Sequence, residues 1–226
     1  MGMSTYFGFV LSIGAYVIGS SIKKRFKLAI FNPLLIAIII TICILLLGNI
    51  SYDKYNEGAK YITYLLTPST VALAVPLYDK LKVLKKNFKA IMIGIISGTI
   101  TSFITNLIIC ILFNLSHEHY ITLLPKSITT AIGMELSAEF GGNKTITTAV
   151  IVVTGIVGSV ISEKIFKLLK IKNPIAKGIA LGSASHAIGT SKAVEMGETE
   201  GAMAGLSIAV SGILTVLAMN IFTLFY

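Results

Sequence analysis

The chain alternates between long uncharged apolar runs and shorter stretches that mix small polar residues with lysines and glutamates. The run Leu28 to Ile50 carries no charge over 23 positions. About 20 apolar residues span a bilayer as a helix. The pattern predicts continuous apolar helices over 4–22, 28–50, 88–115, 145–166 and 203–226. A membrane β-barrel would read as short alternating segments instead. Three stretches, 60–78, 121–142 and 175–200, are rich in Gly, Ser, Thr and Pro. These predict interrupted rather than continuous helices.

Composition agrees with a membrane protein. Hydrophobic residues make up 54% and charged residues 13%, against about 25% charged in a soluble domain. The net charge of +9 comes from lysines in short loops, where they set topology, so nucleic acid is not the expected partner. Cys43 and Cys110 lie within apolar runs and read as packing residues. The first segment has no basic leader or small-residue cleavage site and reads as a retained span, not a signal peptide.

Loop charge predicts the orientation. The basic loops Lys23–Lys27, Asp79–Lys89 and Glu163–Lys177 belong inside, and the lysine-poor 51–60 and 114–120 outside. The helix at 145–166 supplies one crossing. If 121–142 also crossed, the lysines from Lys164 to Lys177 would fall outside. Stretch 121–142 is therefore expected to enter and leave on one face, as a re-entrant hairpin. Stretch 60–78, with Pro68 and Pro76, must cross as a broken helix.

A repeat supports this layout. "SITTAIG" (127–133) recurs as "SASHAIG" (183–189), an offset of 56 residues that also pairs Glu139 with Glu195 and Gly141 with Gly197. Each copy leads into a full apolar helix. A hairpin plus one crossing reverses direction, so tandem units form an inverted-topology repeat, with the second hairpin entering from inside. Secondary transporters place substrate near the midplane of such repeats. A weaker third relative is "LLTPSTVALA" (65–74), beside "LLPKSITTAI" (123–132). The expected fold is an all-α polytopic membrane protein with two re-entrant hairpins and about six crossings. It forms one domain over 1–226: scaffold or dimer helices at 1–57, a broken helix plus a transmembrane helix at 58–116, and repeat units at 117–170 and 171–226.

Half-helix ends at membrane depth expose free N–H groups at a positive dipole end, which suits an anion. Ser127, Thr129, Thr130, Ser183, Ser185 and Thr190 add hydroxyls. Gly133 and Gly189 permit close approach, and Pro68 and Ser69 of the weaker copy complete the candidate set. The alternative is that these small residues only pack helices. Lys126 either attracts the anion or snorkels to the outer face. Glu135 and Glu139 either exchange protons, pair with Lys126 or Lys144, or sit in a wet loop. His186 stands where the first copy has Thr130 and can titrate near neutral pH. Coupling to H⁺ or Na⁺ stays open. No cofactor or metal is expected, since His117 and His119 beside Glu118 make a poor ligand set. Ser183 and His186 lack a nucleophile elbow, and no P-loop is present, so neither an enzyme nor an ATP-driven pump is expected.

"LLTPSTVALAVPLYDKLKVLKKNFKAI", "LLPKSITTAIGMELSAEFGG" and "GIALGSASHAIGTSKAVEMGETEGAMAGLSIAVSG" resemble the LrgB/CidB family over nearly the whole chain. That resemblance implies a multi-pass protein of the cytoplasmic membrane. It also implies transport of small 2-hydroxy or 2-oxo monocarboxylates such as glycolate, glycerate or pyruvate, as in the related plastidial glycolate/glycerate translocator. Its alternative implication is a holin/antiholin-like regulator of murein hydrolase export, autolysis and cell death. Expected partners are the small carboxylate, the lipid bilayer, an LrgA/CidA-type membrane protein and a second copy in a homo-oligomer, a dimer.

Overall fold

The computed structural model describes residues 5–26, 31–65, 68, 71–72 and 74–226. The described residues are helical, without strands. Two compact units divide the chain, Met1–Ala72 and Leu73–Tyr226.

In the first unit, α1 (Phe7–Phe26) packs against α2 (Pro33–Leu47) and α3 (Tyr52–Thr63). Glycines set these approaches: a Cβ at Gly19 would press on Pro33, and one at Gly58 on the backbone of residues 5–8. Ser12 Oγ meets the Tyr55 hydroxyl at 2.8 Å. Two expectations change here. The apolar run at 28–50 gives a helix of only 15 residues. The Asn32 side chain accepts from the amides of Leu34 and Leu35 with Pro33 in the first turn, while Gly48 and a left-handed Asn49 (φ 49°) end it. The polar segment after it, expected as a loop, forms α3.

The second unit opens with the short α4 (Ala74–Asp79) and the long α5 (Leu81–Leu112). The lysine-rich segment after 79, expected as a loop, is the first turns of α5. Lysine is a good helix former, and 32 residues reach about 48 Å, well beyond a bilayer core of about 30 Å. Then come α6 (His117–Leu123), α7 (Thr130–Glu139), α8 (Lys144–Leu168), α9 (Pro174–Met196), α10 (Glu198–Phe222) and a final 3₁₀ turn (Thr223–Phe225). Among the described residues three helices are long and apolar enough to cross a membrane: α5, α8, and α10 with its 3₁₀ extension.

Helices α5 and α10 run parallel. Lys80 pairs with Glu198 at 3.0 Å where both begin. At the other end the rings of Phe103 and Phe222 stack at 4.5 Å, and Tyr120 donates to the Phe222 carbonyl at 2.8 Å. Phe103, Tyr120, Ile121, Leu124 and Met219 form the core there. A second core, with Ile91, Ile95 and Met203, joins the beginnings of the same helices to α9.

Candidate functional site

The first motif copy sits between α6 and α7. Ser116 caps α6, and Thr122 fastens the path where the chain leaves it. The Asn143 amide donates to Thr122 Oγ1 at 2.9 Å, and Thr147 Oγ1 donates to the Thr122 carbonyl at 3.0 Å. The chain that departs at Thr122 thus returns to it at the start of α8. Buried Asn106 of α5 donates to the Leu123 carbonyl at 3.0 Å, at the last residue of α6, where the Lys126 amide also donates at 3.2 Å.

The second copy lies within α9. The backbone breaks at His186 (φ 42°, ψ −135°), dividing the helix into two arms. The second arm folds back: a Cβ at Gly189 would strike the Leu181 carbonyl and lie 2.6 Å from Ser185 Cβ. Near the far end of that arm, Ala193 packs with Phe166, Leu181 and Ala204, with Met196 alongside. Lys192 pairs with Glu163 of α8 at 2.5 Å.

Between α5, α8, the first arm of α9 and the loop at 126–127 lies an open cavity of about 910 Å³. Its lining runs from Asn87 to Thr105 along α5, a length of about 27 Å at 1.5 Å per residue. Among the described residues, Lys126 is the one charged residue lining it. Its Nζ donates to Ser102 Oγ at 2.9 Å, and Ser102 Oγ meets Ser127 Oγ at 3.0 Å. The ammonium therefore points inward onto a hydroxyl pair. Ser183 and Ser185 line the same cavity from the second copy. Ser183 lies against Gly98 of α5, where a Cβ would come within 3.0 Å of its Oγ; Ser185 lies against Gly158 of α8, where a Cβ would collide with its Oγ. Behind this wall, Ser102, Ser127 and Ser183 also border a void of about 10 Å³ with Ser211 and Thr215 of α10, room for about one water. The buried Ser211 hydroxyl has no hydrogen-bond partner among the described residues.

Four of the candidate residues, Lys126, Ser127, Ser183 and Ser185, therefore meet at one cavity. The other described candidates are not among its lining residues. His186 is buried, its Nε2 2.9 Å from the Ile151 carbonyl. Gly133 packs on Ile151 Cδ1, so both copies bear on that one buried residue. Thr129 precedes α7 without a side-chain cap bond, and Thr130 opens that helix. Gly189 packs between the α9 arms, and Thr190 is buried with its hydroxyl unpartnered. Glu135 forms an exposed ion pair with Lys144 at 2.9 Å, and Glu139 is exposed. Pro68 is exposed in the other unit; Ser69 lies outside the described residues. Among the described residues no three His, Cys, Asp or Glu side chains gather as a metal site.

Sequence reading missed the α5 wall, because 88–115 reads as a plain apolar span. The signal was present: Gly94, Ser97, Gly98, Thr101, Ser102 and Thr105 recur at three- and four-residue spacing on one helix face. It also missed that the repeat continues. "IVVTGI" (151–156) returns as "IAVSGI" (208–213), one residue beyond the 56-residue register of the motifs, which pairs Thr154 in the cavity with Ser211 at the void. Contacts follow this pairing. Ile188 Cδ1 lies 2.8 Å from a Cβ built at Gly155, and Ile132 Cδ1 lies 3.5 Å from one built at Gly212.

Comparison with known proteins matches residues 12–225 to the LrgB-like family. The antiholin-like protein LrgB of Bacillus cereus (strain B4264) is 37% identical over 221 residues, covering 97% of this chain and 96% of its own. That of Bacillus anthracis (strain A0248) is related to the same degree. No solved structure matches. A family match over nearly the full length, agreeing with relatives aligned from end to end, makes this chain a member of the LrgB-like family.

Proposed function

We propose that the chain is a secondary transporter of small monocarboxylates, 2-hydroxy or 2-oxo acids such as glycolate, glycerate and pyruvate, across the cytoplasmic membrane. One observation carries this reading: among the described residues the sole charge lining the cavity is the Lys126 ammonium, held on Ser102, which in turn meets Ser127, with no acidic side chain among those lining residues. An ammonium beside paired hydroxyls suits one carboxylate. A single cation favours a monoanion over a dianion. The cavity far exceeds a three-carbon acid, so the acid binds at the Lys126 end and the remainder serves as its path.

Alternating access follows from the repeat on this reading. The arms 117–139 and 173–196 enter from opposite faces as re-entrant hairpins, and each packs against the helix that follows the other. The paired contacts Ile188–Gly155 and Ile132–Gly212 support an inverted-topology relation. In one state Thr154 and Gly158 border the open side. In the other, Ser211 and Thr215 do, and the void beside them opens.

The names of the relatives favour a second reading, an antiholin-like regulator of cell lysis. Proteoliposomes separate the two. The carrier reading expects saturable counterflow of labelled glycolate or pyruvate, competed by unlabelled acid. Unsaturable leakage of unrelated dyes would reject it.

A further inference from the structure

A second cavity, of about 530 Å³, lies where α8 ends and α9 begins and ends. Lys167, Lys170 and Lys172 line it from the end of α8 and the following turn, and Lys177 from the first arm of α9. Phe166, Ile171 and Met196 supply apolar wall. Two carboxylates also border it, Glu163 and Glu200, but Glu163 is engaged by Lys192 at 2.5 Å. Four lysines thus face a pocket with one carboxylate not engaged by Lys192.

Lysines at the inner end of a span ordinarily do no more than fix topology. Two features here ask for more. First, Lys170 adopts a left-handed conformation (φ 54°) in the turn that closes α8, with the Ile171 amide returning to the Phe166 carbonyl at 2.8 Å. Gly or Asn is the usual residue there, and the corresponding left-handed positions after α2 and α5 are Asn49 and Asn114. A lysine bears the strain instead, which directs attention to what its side chain meets. Second, Leu168 and Leu169, beside these lysines, are 79% and 63% exposed. They lie at the end of a helix apolar and long enough to span a membrane, where the hydrocarbon of a bilayer gives way to its headgroups. A bound molecule with a phosphate for the lysines and alkyl chains for the leucines fits both halves of the site.

We infer that this pocket binds the headgroup of an anionic phospholipid of the inner leaflet. The phosphate meets Lys170 and Lys172, and the acyl chains run along Leu168 and Leu169. Basic pockets among helices on the cytoplasmic side take such headgroups. Because Lys177 and Met196 belong to the two arms of α9, the lipid joins both arms to the end of α8.

The test uses the purified full chain in nanodiscs of phosphatidylcholine with graded phosphatidylglycerol, read by lipid retention in native mass spectrometry. The double variant Lys170→Ala/Lys172→Ala is compared with Lys85→Ala/Lys86→Ala, which removes the same charge from exposed positions of α5 outside the pocket. The inference expects phosphatidylglycerol to be retained over phosphatidylcholine. It expects affinity to fall about tenfold or more in the first variant and stay near wild type in the second. Equal losses in both would reduce the effect to general surface charge and overturn the site. Absence of any phosphatidylglycerol preference overturns it as well. Displacement of the lipid by millimolar inorganic phosphate would make the ligand a free anion and overturn the lipid assignment. Each outcome is independent of whether the chain transports carboxylates.

Discussion

Lys126 is where the sequence left two meanings open and the structure separates them. A lysine at that position can extend to the outer face or turn into the protein, and both fit an apolar neighbourhood. Its Nζ turns in, to Ser102. An ammonium held in a membrane protein costs about 2.5–3.5 kcal/mol by insertion scales, and no acidic residue lining the cavity offsets that cost. Lys126→Met keeps the length and removes the charge. It should leave the detergent-solubilised protein as stable as wild type or more so, while saturable uptake of glycolate or pyruvate falls by at least about tenfold. Thermal unfolding beside counterflow measures both. A marked loss of stability with unchanged uptake would make Lys126 a structural residue. His186 shows the opposite separation. Its place in the repeat suggested a ligand; its Nε2 lies 2.9 Å from the Ile151 carbonyl at a break in α9, and it is not among the residues lining the cavity. No residue pattern reveals which atom a histidine will face.

At the scale of elements, the legible features were those written in local chemistry. Asn32 with Pro33, and Gly48 with Asn49, bound α2 in space, but the unbroken apolar run hid these signals and the sequence reading carried the helix over 28–50. The two Ser-x-(Ser/Thr)-x-Ala-Ile-Gly motifs identified Ser127, Ser183 and Ser185, which meet across one cavity. The α5 wall was not legible in the same way. A Ser or Thr every three or four positions in an apolar helix reads equally as helix packing, and only the neighbours of that face decide. The glycines after each motif sharpen the point, because Gly155 and Gly212 occupy paired positions with unequal surroundings. A methyl at Gly155 would come within 2.7–2.8 Å of the His186 ring and Ile188, whereas one at Gly212 meets only Ile132 at 3.5 Å. Gly155→Ala should therefore destabilise the protein by about 1–3 kcal/mol through overpacking. Gly212→Ala should be near neutral, or slightly stabilising through the helix preference for Ala. Melting temperatures of the two variants in one detergent decide this, and equal shifts would contradict the asymmetry.

At the scale of the whole molecule, the question is which ends share a side of the membrane. Loop charge and spatial contacts bear on it independently. Charge places the lysines at 79–89 and 163–177 inside. Contacts join Lys80 to Glu198, Lys192 to Glu163, and Thr122 to Asn143. The Thr122–Asn143 pair joins the two ends of the stretch that the charge argument keeps on one face, and the other two pairs join segments that charge places inside to 175–200, whose side only the repeat assigns. Parity of crossings is an expectation that rests on charge order alone, whereas the depth of each hairpin depends on packing. Single cysteines test the arrangement after Cys43 and Cys110 are replaced by Ala. Glu118→Cys and Glu139→Cys flank the first motif, and Lys172→Cys and Glu198→Cys flank the second; all four positions are exposed. In intact cells, an impermeant maleimide added outside should label the first two. It should reach the last two only after the membrane is opened. If Glu118→Cys and Glu139→Cys label from opposite sides, 121–142 crosses the membrane and the inverted repeat is lost. If Lys172→Cys and Glu198→Cys divide instead, the first hairpin stands alone, and the pairing of Thr154 with Ser211 no longer describes two faces of one path.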